Sequence, residues 1–126
     1  MDVRPFSLAY GTLLVLVPVL LLCSTLVKAQ STMDLCSTVY EEFSLCLAFV
    51  ANLDPFIRQD CCDAITRINS LARRERSAPR RICQCIKDIS YWTGVRYNFL
   101  RISEIPYSCS LHLSFPISDS MDCSKI

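Results

Sequence analysis

The chain has 126 residues, with thirteen Lys and Arg against twelve Asp and Glu, one histidine and nine cysteines. A formal net charge of +1 sets up no long-range field toward nucleic acid or an anionic membrane, so no nucleic-acid partner is expected. His112 has no cluster of further ligands around it in sequence, and no nucleophile motif is present, so the chain lacks the inventory of a metal site or a hydrolase; neither an enzyme nor a cofactor is expected.

Leu13 to Leu26 is almost wholly apolar, and Val27-Lys28-Ala29 follows with small residues where a signal peptidase reads. This is the pattern of a secretory signal peptide, with cleavage expected after Ala29. The apolar run is short of the roughly 20 residues a membrane-spanning helix needs. The expected organisation is therefore a cleaved segment, residues 1–29, and one domain, residues 30–126. Two cores cut from a chain of that length would be too small to survive. Removing residues 1–29 discards Cys23 and leaves eight cysteines; it also removes Arg4, Lys28 and Asp2, leaving eleven basic and eleven acidic residues. There is no Asn-x-Ser/Thr acceptor and no apolar C-terminal run of the kind that signals a lipid anchor. A soluble, secreted, extracellular monomer is expected.

From Asp34 to Val50, Leu35, Val39, Phe43, Cys46, Leu47 and Val50 recur at three and four residues, one face of an amphipathic helix with Glu41 and Glu42 outside. Pro55 breaks the pattern. A second helix is expected from about Gln59 to Arg73, with Cys61, Ile65, Ile68, Leu71 and Ala72 inward and Asp60 or Asp63 near its positive end. A third begins after Ser77 as N-cap, with Pro79 in its first turn. Ile82, Cys85, Ile86, Ile89 and Trp92 form its inner face, and Gly94 sits where a left-handed cap is wanted. A short fourth helix covers Asn98 to Ile105 and is expected to end at Pro106.

The tail alternates: Leu111, Leu113, Phe115 and Ile117 interleave with Ser110, His112, Ser114 and Pro116. Period two normally means a strand. No other segment offers a partner strand, and a lone strand leaves backbone groups unpaired. The segment therefore reads as an extended strap laid across the helices, apolar side down, with His112 outward. The fold class is all-α: four helices and a covering tail.

The eight cysteines fall as Cys36, Cys46, the pair Cys61-Cys62, then Cys83 and Cys85 around Gln84, then Cys109 and Cys123. An even number in a short secreted chain reads as a disulfide framework. Each bridge stabilises by roughly 2–4 kcal/mol, more help than a four-helix domain usually needs. An interior cavity would explain the need, since a void of about 300 Å³ costs on the order of 7 kcal/mol. Small size alone also explains such density, and on physics alone it is the simpler reading.

The order C…C…CC…CxC…C…C, with gaps of nine, fourteen, twenty, twenty-three and thirteen residues, resembles the plant lipid-transfer and seed-storage (prolamin) superfamily, and within it the type 1 nonspecific lipid-transfer proteins. Asn69-Ser70-Leu71-Ala72-Arg73, Cys83-Gln84-Cys85-Ile86-Lys87, Ile105-Pro106 before Cys109, Phe115-Pro116-Ile117-Ser118 and Asp122-Cys123-Ser124-Lys125-Ile126 share the likeness, which covers the whole of residues 30–126. The resemblance implies bridges Cys36–Cys85, Cys46–Cys61, Cys62–Cys109 and Cys83–Cys123; in that family a polar residue between the CxC cysteines, here Gln84, accompanies this pairing. It implies a disulfide-linked, right-handed four-helix bundle with the tail over an internal apolar tunnel. It also implies a partner class of fatty acids, lysolipids or phospholipids, transient contact with a membrane surface, and secretion to the cell wall or apoplast. Carried over by position, the tunnel wall would include Val39, Phe43, Ile65, Ile68, Leu71, Ile86, Ile89, Ile102, Ile105, Leu111, Leu113, Phe115 and Ile117. Burying acyl methylenes there gains about 0.8 kcal/mol each, whatever the head group.

Two positions depart from the family pattern. The Arg that meets the lipid head group there falls at Pro79 here, which leaves Arg80 or Arg81 as the candidate. The tail Tyr whose hydroxyl reaches the head group is Phe115, which cannot hydrogen bond. Arg73, Arg74, Arg76, Arg80 and Arg81 form a local basic patch, read either as a dock for an anionic membrane or cell-wall polymer or, more simply, as a solvated loop. Two alternatives share the scaffold: a hydrolase (amylase or protease) inhibitor, for which Asp54-Pro55-Phe56 would be a docking loop, and a membrane-active defence protein, which the neutral charge disfavours. A storage role would want glutamine, and residues 30–126 have only Gln30, Gln59 and Gln84.

Overall fold

The computed structural model describes residues 5–126, with side chains described for 14–25 and 34–126. The first four residues of the expected signal segment, and the side chains around its expected cleavage point, lie outside the described residues. The chain divides between Asp34 and Leu35 into two units, a division that coincides with the start expected for the first amphipathic helix.

The N-terminal unit is the leading part of α1, Pro5–Ser44, which continues through Pro18. Its apolar side chains face solvent: Leu14 is 72% and Leu22 62% exposed, with Val15 to Leu21 similar. Cys23 is exposed and unpaired. The described residues contain no helix long and apolar enough to cross a membrane.

The second unit carries the disulfide-linked fold. The end of α1 is followed by α2, Leu47–Val50; then come α3, Gln59–Ala72, α4, Ala78–Thr93, and α5, Phe99–Ser108, with a 3₁₀ turn at Cys123–Lys125. No strand occurs among the described residues. The four expected bridges are all present: Cys36–Cys85, Cys46–Cys61, Cys62–Cys109 and Cys83–Cys123. They tie α1 to α4, the α1–α2 junction to α3, α3 to the end of α5, and α4 to the chain's end.

The amphipathic faces assemble as their periodicity requires. Val39, Phe43, Ile65, Ile68, Ile82, Ile86 and Ile105 have no solvent exposure and belong to one packed cluster. Fully burying each such side chain is worth about 1.5–3 kcal/mol. Gly94 closes α4 in the left-handed region, φ +71°, with its N–H on Ser90 O. Asn98 caps α5, its side chain accepting from the N–H groups of Leu100 and Arg101.

Four expectations are corrected. The helix expected over Asp34–Val50 breaks at Leu45–Cys46, where N–H groups turn back to Glu42 O and Phe43 O three residues earlier; the break lets Cys46 sit at 0% exposure, bonded to Cys61. Ser77 does not cap α4: its backbone is already helical and its side chain makes no cap bond. Pro106 does not end α5, which runs on to Ser108 and closes through Cys109 N on Ile105 O and Leu111 N on Pro106 O; the Cys62–Cys109 bridge holds that last turn. Trp92 is not on the inner face of α4: it is 76% exposed, edge-to-face with Tyr91 at 5.5 Å.

Candidate functional site

The thirteen aliphatic and aromatic residues expected to line a tunnel converge on one cluster. Val39 and Phe43 come from α1, Ile65 and Ile68 from α3, Ile86 and Ile89 from α4 and Ile105 from α5; Phe115 and Ile117 come from the tail, and all nine are buried. Leu71, Ile102, Leu111 and Leu113 are half-buried against them. The tail delivers its share because its pleat survives without a sheet: Phe115 and Ile117 are buried while His112 is exposed.

What replaces the missing partner strand is one side chain. Asn69, only 3% exposed, donates through Nδ2 to His112 O at 2.7 Å and accepts on Oδ1 from Ser114 N at 2.7 Å. Its amide thus imitates the pair of bonds a neighbouring strand would make. Sequence reasoning placed Asn69 only in a resemblance motif. The signal available was its register, four residues after Ile65 on the buried face of α3, where a polar side chain needs a partner.

Tyr97 was not foreseen at all. It is 8% exposed, donates its hydroxyl to Ile86 O at 2.6 Å, and packs edge-to-face on Phe43 at 5.6 Å. Burial, and then the nearby Asp119 carboxylate, push its pKa well above the ordinary value of 10.0. Asp119 accepts from Tyr97 N at 3.1 Å and pairs with Arg96 at 3.0 Å, so the end of the tail is fastened to the α4–α5 connection. No periodicity marks Tyr97, because it lies in the irregular segment between Gly94 and α5.

Among the described residues, two surface cavities lie beside the core. One, of about 270 Å³, is lined by Tyr40, Ser44, Leu47, Ile89, Trp92 and Thr93. Its wall is apolar, and Ile89 belongs to the core, so it leads from the exposed Trp92 toward the cluster; its size approaches the roughly 300–1,000 Å³ of small-molecule sites. Burial, and then Asp88, raise the pKa of Tyr40 at its edge, so that phenol is neutral at physiological pH. The other, of about 430 Å³, is lined by Gln84, Lys87, Asp88, Ser90, Tyr91, Gly94, Arg96 and Asp119, a mixed wall of polar and apolar surface.

Arg80 stands apart from the cluster. It is exposed and donates to the main-chain oxygen of Ile126 at 2.9 Å. Arg81 pairs with Glu75 at 3.0 Å. Phe115 is buried and brings no hydroxyl. Asp54-Pro55-Phe56 sits on a loop pinned by Arg101, which reaches Asn52 Oδ1 at 2.8 Å and Pro55 O at 3.0 Å and lies 5.3 Å from the Phe49 ring. No group of three or more His, Cys, Asp or Glu side chains among the described residues could hold a metal ion. The arrangement offers apolar enclosure under a hydrogen-bonded strap.

Comparison with known proteins agrees with this architecture. The family described as protease inhibitor/seed storage/LTP family matches residues 36–123. Non-specific lipid-transfer protein 13 of Arabidopsis thaliana is 30% identical over 126 residues, the full length of both chains. Among solved structures, the barley non-specific lipid transfer protein 1, in complex with L-α-lysophosphatidylcholine, superposes with a TM-score of 0.60 at 26% identity, over 72% of this chain and 97% of that one. The wheat non-specific transfer protein, complexed with two molecules of phospholipid, gives 0.58 at 29% identity, over 72% and 98%. This chain belongs to the protease inhibitor/seed storage/LTP family, on the side of its nonspecific lipid-transfer proteins.

Proposed function

We propose that this protein binds lipids, holding an acyl chain in the apolar core between the helices and the tail and carrying it through water. The observation that supports this most is the convergence of all thirteen expected lining residues on one cluster roofed by Phe115 and Ile117, in a fold similar to proteins solved with lysolipid and phospholipid. Acyl burial is indifferent to head group, and with Phe115 lacking a hydroxyl and Arg80 turned to Ile126, the head group has few partners at the strap. Fatty acids and lysolipids with small head groups are the ligands this favours.

The protein acts as a carrier rather than an enzyme in this reading, in keeping with relatives that are lipid-transfer proteins by name. We read residues 1–29 as a signal peptide removed on export to the extracellular space. The solvent-facing leucines and valines of residues 14–22 suit a segment recognised and discarded rather than folded. The eight remaining cysteines, all bridged, suit an oxidising compartment.

The test is displacement of a fluorescent fatty-acid probe by lysolipids, using protein secreted from an oxidising host. Saturable one-site binding, lost when the bridges are reduced, is the expected result. An oxidised, folded protein that binds no probe would sink the reading.

A further inference from the structure

Five of the chain's arginines fall within nine residues: Arg73, Arg74, Arg76, Arg80 and Arg81. The structure sorts them. Arg81 is taken up by Glu75, the one acidic side chain in that stretch. Arg73 Nε donates to Ser114 Oγ at 3.1 Å and Arg80 donates to Ile126 O at 2.9 Å, so both lie alongside the tail. Arg74 and Arg76 are exposed and have no side-chain partner among the described residues. Arg73, Arg74, Arg76 and Arg80 thus leave four exposed guanidinium groups along the α3–α4 connection, and Glu75, the acidic side chain of that stretch, is already paired with Arg81. The positive end of α4, which Ser77 leaves without a side-chain cap, adds to the same potential.

Beside this charge lie apolar groups. Leu71, in the last turn of α3, and Leu113, between the two tail residues that Asn69 holds, are both half-buried members of the core's margin. A soluble polyanion would use the arginines alone, whereas an anionic bilayer uses both the charge and the half-exposed leucines behind it.

We infer that the arginine edge between α3 and α4 is a docking surface for an anionic bilayer, one that sets the strap side of the core against the membrane. The inference gives the proposed lipid carriage its entry side and rests on that reading for its purpose, though not for its test. Attraction of arginines to an anionic leaflet acts within a Debye length and weakens with salt.

The experiment uses the full chain as secreted and purified, with vesicles of phosphatidylcholine alone or with roughly a third phosphatidylglycerol. Arg74→Glu/Arg76→Glu is the variant, since neither side chain holds the fold. The expected result is binding to the anionic vesicles only, fading as salt rises from about 0.02 to 0.5 M, and weakened by roughly 30-fold or more in the double variant with fatty-acid probe binding unchanged. Equal binding to both vesicles, indifference to salt, or full binding by the double variant would overturn the inference. Binding to polygalacturonate but to neither vesicle would also overturn it, and would reassign the edge to a polyanion. Failure of probe binding in the unaltered protein is read separately and strikes the lipid reading, not the vesicle result.

Discussion

Replacing Asn69 with alanine should unfasten the tail without unfolding the helices. The amide makes two bonds of 2.7 Å to the tail backbone, at His112 O and Ser114 N, and sits 3% exposed. Deleting it strands one donor and one acceptor, at about 1–3 kcal/mol each if they stay dry. His112 is exposed, so its carbonyl is readily rehydrated, and a total of about 2–3 kcal/mol follows. The tail between Cys109 and Cys123 is anchored at both ends by disulfides, so the loss should appear as local opening of residues 110–118. The assay is hydrogen exchange at the Ser114 amide, expected to quicken by roughly 30- to 140-fold, together with faster release of a bound fatty-acid probe. Asn69→Asp separates the two bonds. The carboxylate still accepts from Ser114 N but repels His112 O, and burial disfavours its charge, raising its pKa in the folded state. That variant should therefore be weakened at neutral pH and recover as pH falls and the acid form donates to His112 O. Unchanged exchange at Ser114 in Asn69→Ala would refute the claim that this side chain stands in for a strand.

Other outcomes follow from the same contacts. The raised pKa of Tyr97 means folding favours its neutral form, so that contribution is intact below the ordinary value of 10.0 and is lost as pH rises above it; thermal melts of Tyr97→Phe should show a smaller alkaline decline than the parent. Gly94→Ala should cost about 1 kcal/mol by chemical denaturation, from the left-handed φ of +71° alone, because nothing lies within 4 Å of the added methyl. Removing the Cys36–Cys85 bridge by paired serines opens a loop of sequence separation 49 and should cost about 4 kcal/mol, visible as a lower denaturant midpoint. Arg101→Ala frees Asn52 and Pro55 and should cost about 1–2 kcal/mol, with faster proteolysis in residues 51–58 as its direct readout.

Much of this molecule is legible because its helices obey simple periodicity. Ile65, Ile68 and Ala72 on α3, and Ile82, Ile86 and Ile89 on α4, recur at three and four residues and are buried as that spacing requires. Gly94 does what an achiral residue at a helix end is needed for. The tail's alternation sorted Phe115 and Ile117 inward and His112 outward, since side chains of an extended segment alternate with or without a sheet. Cysteine spacing marked the framework, and the pairing followed from family resemblance rather than from spacing, which leaves many pairings open.

The sequence by itself determined which faces are apolar, where the chain turns and that eight cysteines act together, because these are set by neighbours three or four residues away. Tertiary structure alone decided the rest. Local pattern favours a helix through Cys46, but the bridge to Cys61 sets where that residue must sit. Pro106 ought to stop α5, yet the bridge from Cys109 holds one more turn. Trp92 shares the period of the inner face, but α4 outruns the core at that point and its ring is left in water. Tyr97 and Asn69 gained their roles only when segments far apart in the chain met, Tyr97 with Ile86 and Asp119, Asn69 with His112 and Ser114. A hydrogen bond across 43 residues of chain leaves no trace in local spacing, because its partner is chosen by the packing of the whole domain.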